Sequence, residues 1–256
     1  MKITPILSRL FLPVLRCILT PLPGLRLLIV KLCILLEDRK DYEVSLLWLF
    51  EAHSFLEEQI DYQAIALGKG VHIKHEVMDG IHSFFSERIP SGATILDVGC
   101  GIGALANFIA KNIKDSEVFG IDLNSDHIRF ARKRFKQTNL HYFVGDATCS
   151  LPSEAIDTII MSSVLEHVND RVGLLKSLQE VYQPIRLLIR VPTCERHHHA
   201  AMKRSLGIFS YADNDHKTEY TMGQFYEEMK NAELAVVSSE IRWGDIWAEC
   251  QPVTGF

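Results

Sequence analysis

A glycine-rich loop follows a short apolar run near the middle of the 256-residue chain. The segment Asp97-Val-Gly99-Cys100-Gly101-Ile-Gly103 leads from a predicted strand into a predicted helix. Glycines are needed in such a loop because the turn is tight and a ligand must approach the backbone closely. The helix that begins after the loop offers unpaired N–H groups. The loop therefore predicts a site for a small molecule.

Three acids stand where successive predicted strands end. Asp97 lies two residues before the first glycine, Asp122 ends the second strand, and Asp146 follows the third. A carboxylate at Asp97 suits an amino-acid ammonium, Asp122 suits a ribose diol, and Asp146 suits an adenine amino group beside the N–H of Ala147. S-adenosylmethionine (SAM) carries all three groups and no phosphate, so it is the ligand that these acids favour.

The same loop leaves a second class of ligand open. The pattern Gly99-x-Gly101-x-x-Ala104 fits a dinucleotide fingerprint, which predicts an NAD(P)-dependent oxidoreductase. Asp97 argues against this alternative, because a carboxylate would be poorly placed beside a pyrophosphate. The segment Gly145-Asp146-Ala147 also favours an adenosine ligand of the SAM type.

The elements that must position these residues alternate between short apolar strands and helices. This alternation indicates a parallel sheet covered on both faces. We therefore expect an α/β fold with a Rossmann-like, doubly wound and mostly parallel seven-stranded sheet, an antiparallel C-terminal hairpin and an N-terminal helical extension. The predicted strands are Thr94–Val98, Glu117–Asp122, Leu140–Val144, Asp157–Met161, Arg186–Val191, Ala235–Arg242 and Trp247–Val253. The predicted helices include 42–66, Lys74–Glu87, Ala104–Lys114, Ser125–Gln137 and Asp170–Tyr182, with Ser125 as an N-cap.

The first 40 residues differ from the rest, so we divide the chain into an extension (1–40), a helical lead-in (41–90) and a ligand-binding domain (91–256). Residues 1–36 hold five bases and no acid among dense apolar runs that prolines and bases interrupt. These runs are too broken for a membrane-spanning helix, which needs about 20 apolar residues. The extension is predicted either to lie on an anionic membrane surface or to cover a hydrophobic face of the domain or of a second subunit.

Composition excludes several classes of protein. Hydrophobic residues make up 47% and charged residues 23%, so the chain can bury a core. The net charge of −5 argues against a nucleic-acid partner bound through bulk charge. Six cysteines without a CxxC pair predict neither a zinc site nor a disulfide scaffold, and indicate a cytoplasmic protein, either free or at the inner face of the membrane. The run His197–His199 is interpreted as a polar loop.

Four stretches, ILDVGCGIG, VFGIDLN, VGDAT and MSSVLEHVND, strongly resemble the class I SAM-dependent methyltransferases. The resemblance covers about residues 90–192 and extends to a bacterial subgroup through GVHIKH, RVP, HKTEYT and RWGDIWAE. It implies a methyltransferase that uses SAM and acts on a small molecule, lipid or surface saccharide. The SAM-binding residues that it implies are Asp97, Gly99, Cys100, Gly101, Gly103, Asp122, Leu123, Asp146, Ala147 and Ser162.

Methyl transfer to an oxygen acceptor, the expected reaction, also requires a group that removes a proton. His167 is the predicted base, with Glu166 as its partner or as a backbone anchor. The alternative is that Glu166 caps the next helix and His167 only packs. His216 lies in the polar segment DNDHKTEYT, which is either a substrate wall or a solvated loop.

Two further points concern charges near the site. Some quinone-precursor methyltransferases carry ExxEH linked to a divalent ion, but Ser163 replaces the first acid here, so no metal is expected. Lys74, beside His72 and His75, is predicted either to bind an anionic group of the acceptor or to lie solvated on the surface. A non-catalytic subunit of the same fold, anchored at a membrane by residues 1–36, is the remaining alternative.

Overall fold

The computed structural model describes residues 23–35, 41–77, 81–149 and 155–253. The chain divides into two compact units, residues 1–60 and 61–256. The first contains α1 (Pro23–Leu35) and most of α2 (Tyr42–Leu67), inside which the division falls. Most of the predicted extension 1–40 therefore lies outside the described residues. The predicted boundaries at residues 40 and 90 remain predictions.

The second unit is built on a seven-stranded sheet with the order β3-β2-β1-β4-β5-β7-β6. β1 to β5 run parallel, β7 is antiparallel to β5, and β6 pairs with β7 as an antiparallel hairpin. The strands are β1 (Thr94–Val98), β2 (Glu117–Asp122), β3 (Leu140–Val144), β4 (Thr158–Ser162), β5 (Arg186–Pro192), β6 (Leu234–Arg242) and β7 (Asp245–Pro252). The predicted fold class is confirmed.

Strand order reverses between β1 and β4, which are hydrogen-bonded neighbours. From β1 the chain builds outward through β2 and β3, then returns to the other side of β1 to form β4 and β5. The loops after β1 and β4 therefore leave the sheet in opposite directions and open a crevice at its carboxyl edge. This crevice is where an open α/β sheet binds its ligand.

Helices cover both faces of this sheet because its central strands are apolar on both sides. In β1, the side chains of Ile95 and Leu96 are fully buried in two separate hydrophobic clusters, one on each face. The remaining helices are α3 (Lys74–Val77), α4 (Ser83–Ser86), α5 (Ala104–Asn112), α6 (Ser125–Arg134), α7 (Arg171–Tyr182), α8 (His198–Ser205) and α9 (Met222–Asn231). A short 3-10 helix, Leu165–His167, follows β4.

Three local predictions are wrong. The predicted helix Lys74–Glu87 is not continuous: α3 ends at Val77, residues 78–80 lie outside the description, and Ile81 and His82 form a turn before α4. The N-cap of α6 is Asn124, whose side chain accepts from the N–H groups of Asp126 and His127, so Ser125 is the first helical residue.

The run His197–His199 begins a helix and is not a loop. The His197 side chain accepts from the His199 N–H at the start of α8 and so acts as its N-cap. An imidazole nitrogen can serve as a cap here because it presents an acceptor to an otherwise unpaired backbone donor.

Candidate active site

The glycine loop adopts a backbone that side chains rarely allow. Gly99, Gly101 and Gly103 have φ values of 64°, 53° and 81°. A Cβ on Gly99 would lie 2.6 Å from Val164 Cγ2, and one on Gly103 would collide with the Tyr142 ring. Nothing lies within 4 Å of the Cβ position of Gly101. Two glycines are therefore required by packing, while Gly101 leaves open space that a ligand can approach.

Asp97 is buried beside this loop with half of its carboxylate unpaired. Its side chain is 2% exposed, and Oδ2 has no hydrogen-bond partner. Burial, with a smaller effect of the nearby Asp122 charge, raises the pKa of Asp97 to about 7, although the Ala106 N–H opposes the shift. A buried carboxylate without a partner is costly unless a cation binds it. Asp97 therefore fits an ammonium group, as the sequence predicts.

Asp122 ends β2 next to the same loop. Its Oδ2 accepts from the Gly101 N–H at 2.8 Å, and its Oδ1 accepts from the Asn124 N–H at 2.8 Å. His127 Nδ1 lies 3.5 Å from Oδ1. Each carboxylate oxygen can accept a second bond. The arrangement therefore leaves room for a ribose diol while the backbone bonds hold the carboxylate in place.

The next three predicted ligand residues lie after β2 and β3. Leu123 presents a large apolar side chain that is 78% exposed, which suits a ligand ring that would cover it. Asp146 Oδ1 accepts from the N–H and hydroxyl of Thr148, and these bonds lower the pKa of Asp146. Its Oδ2 is left for an amino group. Ala147 is buried, and the Tyr182 hydroxyl donates to its carbonyl.

A cleft of about 200 Å³ brings part of the predicted site together. It is lined by the glycine loop and by Asp97, Ser162 and Arg190. Lys74 and His75 also line it, and burial lowers the pKa of His75 to about 4. Arg190 is not free, because its guanidinium donates twice to Asp245 Oδ2.

Glu166 lies in the short 3-10 helix that follows β4. It is 1% exposed and its Oε2 has no hydrogen-bond partner. Burial raises the pKa of Glu166 to about 8, and the Arg190 charge opposes this shift. Asp170, and not Glu166, is the N-cap of α7. The Glu166 carbonyl instead accepts from the N–H groups of Lys217 and Thr218, at 2.6 and 3.4 Å.

His167 meets the segment DNDHKTEYT through two contacts. Its Nδ1 lies 3.1 Å from Asp215 Oδ2, and its ring packs edge-on against His216 with centroids 4.8 Å apart. His216 Nδ1 is in turn 3.1 Å from Oε1 of the fully buried Glu219 side chain, which also binds Arg196. The segment therefore contacts the Glu166–His167 turn, with Glu219 and Tyr220 buried and residues 213–215 exposed to solvent.

One carboxylate oxygen of Glu166 and one ring nitrogen each of His167 and His216 lie within 4.8 Å of one another. Such a cluster could hold a metal ion, or it could move a proton between its members. Ser163, which replaces an acid of the metal-linked motif, has a φ of 59° and lines the cleft. Asp215, Glu219 and Arg196 complete the cluster. Sequence patterns do not single out Asp215 and Arg196, because their roles depend on how the loop folds back.

The comparisons with known proteins agree with this geometry. Residues 95–185 match the family described as "Methyltransferase domain". The (S)-coclaurine N-methyltransferase of Papaver somniferum is 30% identical over 112 residues, which are 43% of this chain and 32% of that protein. A fatty-acid O-methyltransferase of Mycolicibacterium smegmatis is 34% identical over 80 residues, 31% of this chain and 29% of that protein.

A ubiquinone biosynthesis O-methyltransferase of Actinobacillus pleuropneumoniae is 32% identical over 102 residues, 36% of this chain and 42% of that protein. The chain thus spans less than half the length of each of these relatives. Among solved structures, a SAM-dependent methyltransferase from Aquifex aeolicus matches with a TM-score of 0.55 and 15% identity, over 77% of this chain and 97% of that one. This likeness shows the fold.

Residues 95–185 match a methyltransferase domain, and the sheet order and the glycine loop with its acids agree with those of class I SAM-dependent methyltransferases. Enzymes of this class take their methyl group from SAM. Four features along the carboxyl edge of the sheet fit that donor. Asp97 is a buried carboxylate with one unpaired oxygen, and the glycine loop leaves its backbone open at Gly101. Asp122 is a carboxylate held by the loop, and Leu123 is an exposed apolar surface.

Proposed function

We propose that this chain transfers the methyl group of SAM to an oxygen atom of a small-molecule, lipid or saccharide acceptor. The observation that carries the proposal is the Asp97 carboxylate, which is buried in the cleft with one oxygen unpaired. A dinucleotide would bring phosphates toward this carboxylate, whereas SAM brings an ammonium. Asp97 therefore supports the methyltransferase and disfavours the oxidoreductase.

On this proposal, each residue of the site binds a different part of SAM. Asp97 binds the ammonium, Asp122 binds the ribose hydroxyls, and Leu123 covers one face of the adenine. Asp146 accepts from the adenine amino group beside the Ala147 N–H. Ser162 and the glycine loop border the sulfonium and its methyl group. Since methyl transfer is an in-line displacement, holding donor and acceptor in line supplies much of the catalysis.

The acceptor proton passes to His167. Asp215 Oδ2 lies 3.1 Å from Nδ1 and so borders this side of the ring, which helps to hold its orientation. This leaves Nε2 as the atom that receives the proton. Glu166 acts as an anchor, because its carbonyl holds the segment that carries His216. His216 packs against the base and borders the acceptor.

The named relatives support a small-molecule acceptor. They include methyltransferases named for an alkaloid nitrogen, for a fatty-acid oxygen and for a ubiquinone precursor oxygen. We favour oxygen here because His167, after β4, lies beside the Asp215 carboxylate, and an oxygen acceptor must lose a proton when it is methylated.

Calorimetric titration of the full chain with SAM, NAD and NADP tests the proposed donor. We expect SAM to bind with a dissociation constant in the micromolar range and the dinucleotides to show no heat of binding. Dinucleotide binding without SAM binding would contradict the methyltransferase proposal and favour an oxidoreductase. Binding of SAM without methyl transfer to any phenol, carboxylic acid or sugar hydroxyl would favour the non-catalytic subunit.

We further propose that the N-terminal extension rests on an anionic membrane surface, so that the enzyme works at the cytoplasmic face of the membrane. The large apolar side chains of α1 are exposed around the whole helix: Leu25, Leu27, Leu28, Ile29, Val30, Leu32, Ile34 and Leu35. Within the described residues, no helix combines the length and apolarity needed to cross a bilayer. Bases without acids in residues 1–36 supply the charge that anionic lipids attract.

Vesicle flotation tests this surface. The full chain should rise with vesicles that contain phosphatidylglycerol, and less with neutral phosphatidylcholine vesicles. The variant Leu28→Glu, which places an acid on α1, should stay at the bottom of the gradient. Equal flotation with both lipids, or none at low salt, would contradict the proposal and favour an extension that covers protein.

A further inference from the structure

Lys74 places a second unpaired charge in the cleft that contains Asp97. The residue begins α3 and is partly buried. Its backbone N–H donates to His72 Nδ1 at 2.9 Å, while His72 Nε2 lies 3.1 Å from Asp61. These contacts fix the chain where Lys74 enters the cleft. Among the residues that the structure describes, none forms an ion pair or hydrogen bond with the Lys74 ammonium.

The surroundings of Lys74 favour a bound anion. Burial lowers the pKa of Lys74, and the charge of Arg190 lowers it further, although Asp61 and Asp245 act in the opposite direction. Asp245 is already bound by Arg190 through two hydrogen bonds to Oδ2. The ammonium therefore lies in a partly desolvated cleft where the neighbouring cation is neutralised and Lys74 is not. An anionic group in the cleft would stabilise it.

Lys74 and Asp97 line the same cleft without pairing with each other. The Lys74 cation and the Asp97 anion each lack a partner and border the same small volume. A ligand that carries both an anionic and a cationic group would pair with both. An α-amino acid is such a ligand, since its ammonium and carboxylate sit on one carbon atom. We infer that Lys74 binds the α-carboxylate of the SAM amino-acid group, opposite the ammonium held by Asp97.

This inference rests on the proposed function and adds a specificity-determining residue to it. With Lys74 in place, the site binds both the carboxylate and the ammonium of the amino-acid group. The enzyme should then discriminate against decarboxylated SAM, which keeps the sulfonium, the adenosine and the ammonium. An acceptor carboxylate could use the same lysine. The shared cleft favours SAM, because Gly99, Gly101 and Asp97 border the same volume as Lys74.

The test compares two ligands on three proteins by calorimetry. The wild type should bind SAM at least about tenfold more tightly than decarboxylated SAM, as a charge-assisted contact predicts. Lys74→Met should lose most of this preference, with SAM binding weakened and decarboxylated SAM binding unchanged. Lys114→Met, which changes a lysine whose side chain is 82% exposed, should behave as the wild type. Lys74→Arg should restore part of the preference.

Three results would overturn the inference. Equal weakening of both ligands by Lys74→Met would give the lysine a structural role. Unchanged SAM binding with a raised KM for an anionic acceptor would assign the lysine to the acceptor. Failure of the wild type to bind either ligand, or 5′-methylthioadenosine, would overturn the proposed function itself and this inference with it.

Discussion

The Asp122 carboxylate, at the end of β2, accepts a hydrogen bond of 2.8 Å from the Gly101 N–H in the loop after β1. The parallel register of these strands, in which Asp97 faces Gly120 and Val98 faces Ile121, brings the two segments to this contact. One acid therefore both shapes the glycine loop and borders the ribose position. Its replacement should affect folding and donor binding together.

Asp122→Ala should weaken SAM binding by about tenfold to a hundredfold, because it removes charge-assisted bonds to the ribose and the loop. Asp122→Asn keeps one acceptor oxygen for the Gly101 N–H or the Asn124 N–H and should lose less. Calorimetry and thermal unfolding of both variants measure this. A SAM affinity unchanged in Asp122→Ala would remove Asp122 from the donor site.

Gly103→Ala should destabilise the protein more than Gly101→Ala. Both positions have a positive φ, but only at Gly103 would the new Cβ meet a neighbour, 2.6 Å from Tyr142 Cζ. The collision should cost about 1–3 kcal/mol of unfolding free energy beyond the shared backbone strain. Denaturant titration compares the two.

Gly101→Ala provides the matched control, since it should fold and yet bind SAM weakly because the added methyl group occupies the ligand's approach. Equal stabilities of the two variants would show that Tyr142 can move aside. Normal SAM binding by Gly101→Ala would show that the ligand does not lie against this part of the loop.

SAM affinity should rise with pH through the pKa of Asp97, about 7 in the free protein. Below that pH the carboxyl is protonated and cannot pair with an ammonium, so affinity should fall about tenfold per pH unit. Above about pH 8 the α-amino group of SAM loses its proton and affinity should fall again. Calorimetry from pH 5.5 to 9 measures both limbs, and a flat acid limb would contradict the assignment.

The raised pKa of Asp97 should also make the stability of the ligand-free protein depend on pH. The pKa of Asp97 is raised above its unfolded value, so its contribution to stability is full below about pH 4 and is lost as the pH rises through about 7. Asp97→Asn should remove this decline in unfolding free energy. Chemical denaturation of both proteins at pH 5 and pH 8 compares them, with SAM absent.

His167→Ala should lower kcat by about 10²–10⁴-fold, the range for loss of a general base, and leave SAM affinity unchanged. Asp215→Asn should have a smaller effect on kcat, because it alters only the orientation of the ring. Radiolabelled SAM with a panel of phenols and carboxylic acids provides the assay. Added chelator should not change the rate. A rate lost to chelator and restored by a divalent ion would instead make Glu166, His167 and His216 metal ligands.

The fold and the donor half of the site could be predicted because their signals are local. Apolar strands alternate with helices, and Asp97, Asp122 and Asp146 mark the strand ends where parallel neighbours bring them together.

The acceptor half depends on contacts between distant segments. His167 lies beside Asp215 and His216, and the Glu166 carbonyl next to it accepts from the N–H groups of Lys217 and Thr218, some 50 residues further along the chain. Spacing in the sequence carries no sign of such a contact.

Calorimetric titration of SAM into the wild type and Asp97→Asn shows whether the buried carboxylate of Asp97 holds the ammonium of SAM. We expect the near-isosteric variant to be at least as stable as the wild type, because it removes an uncompensated buried charge, and yet to bind SAM at least about tenfold more weakly. SAM binding of equal strength by both folded proteins would mean that Asp97 does not hold the ammonium.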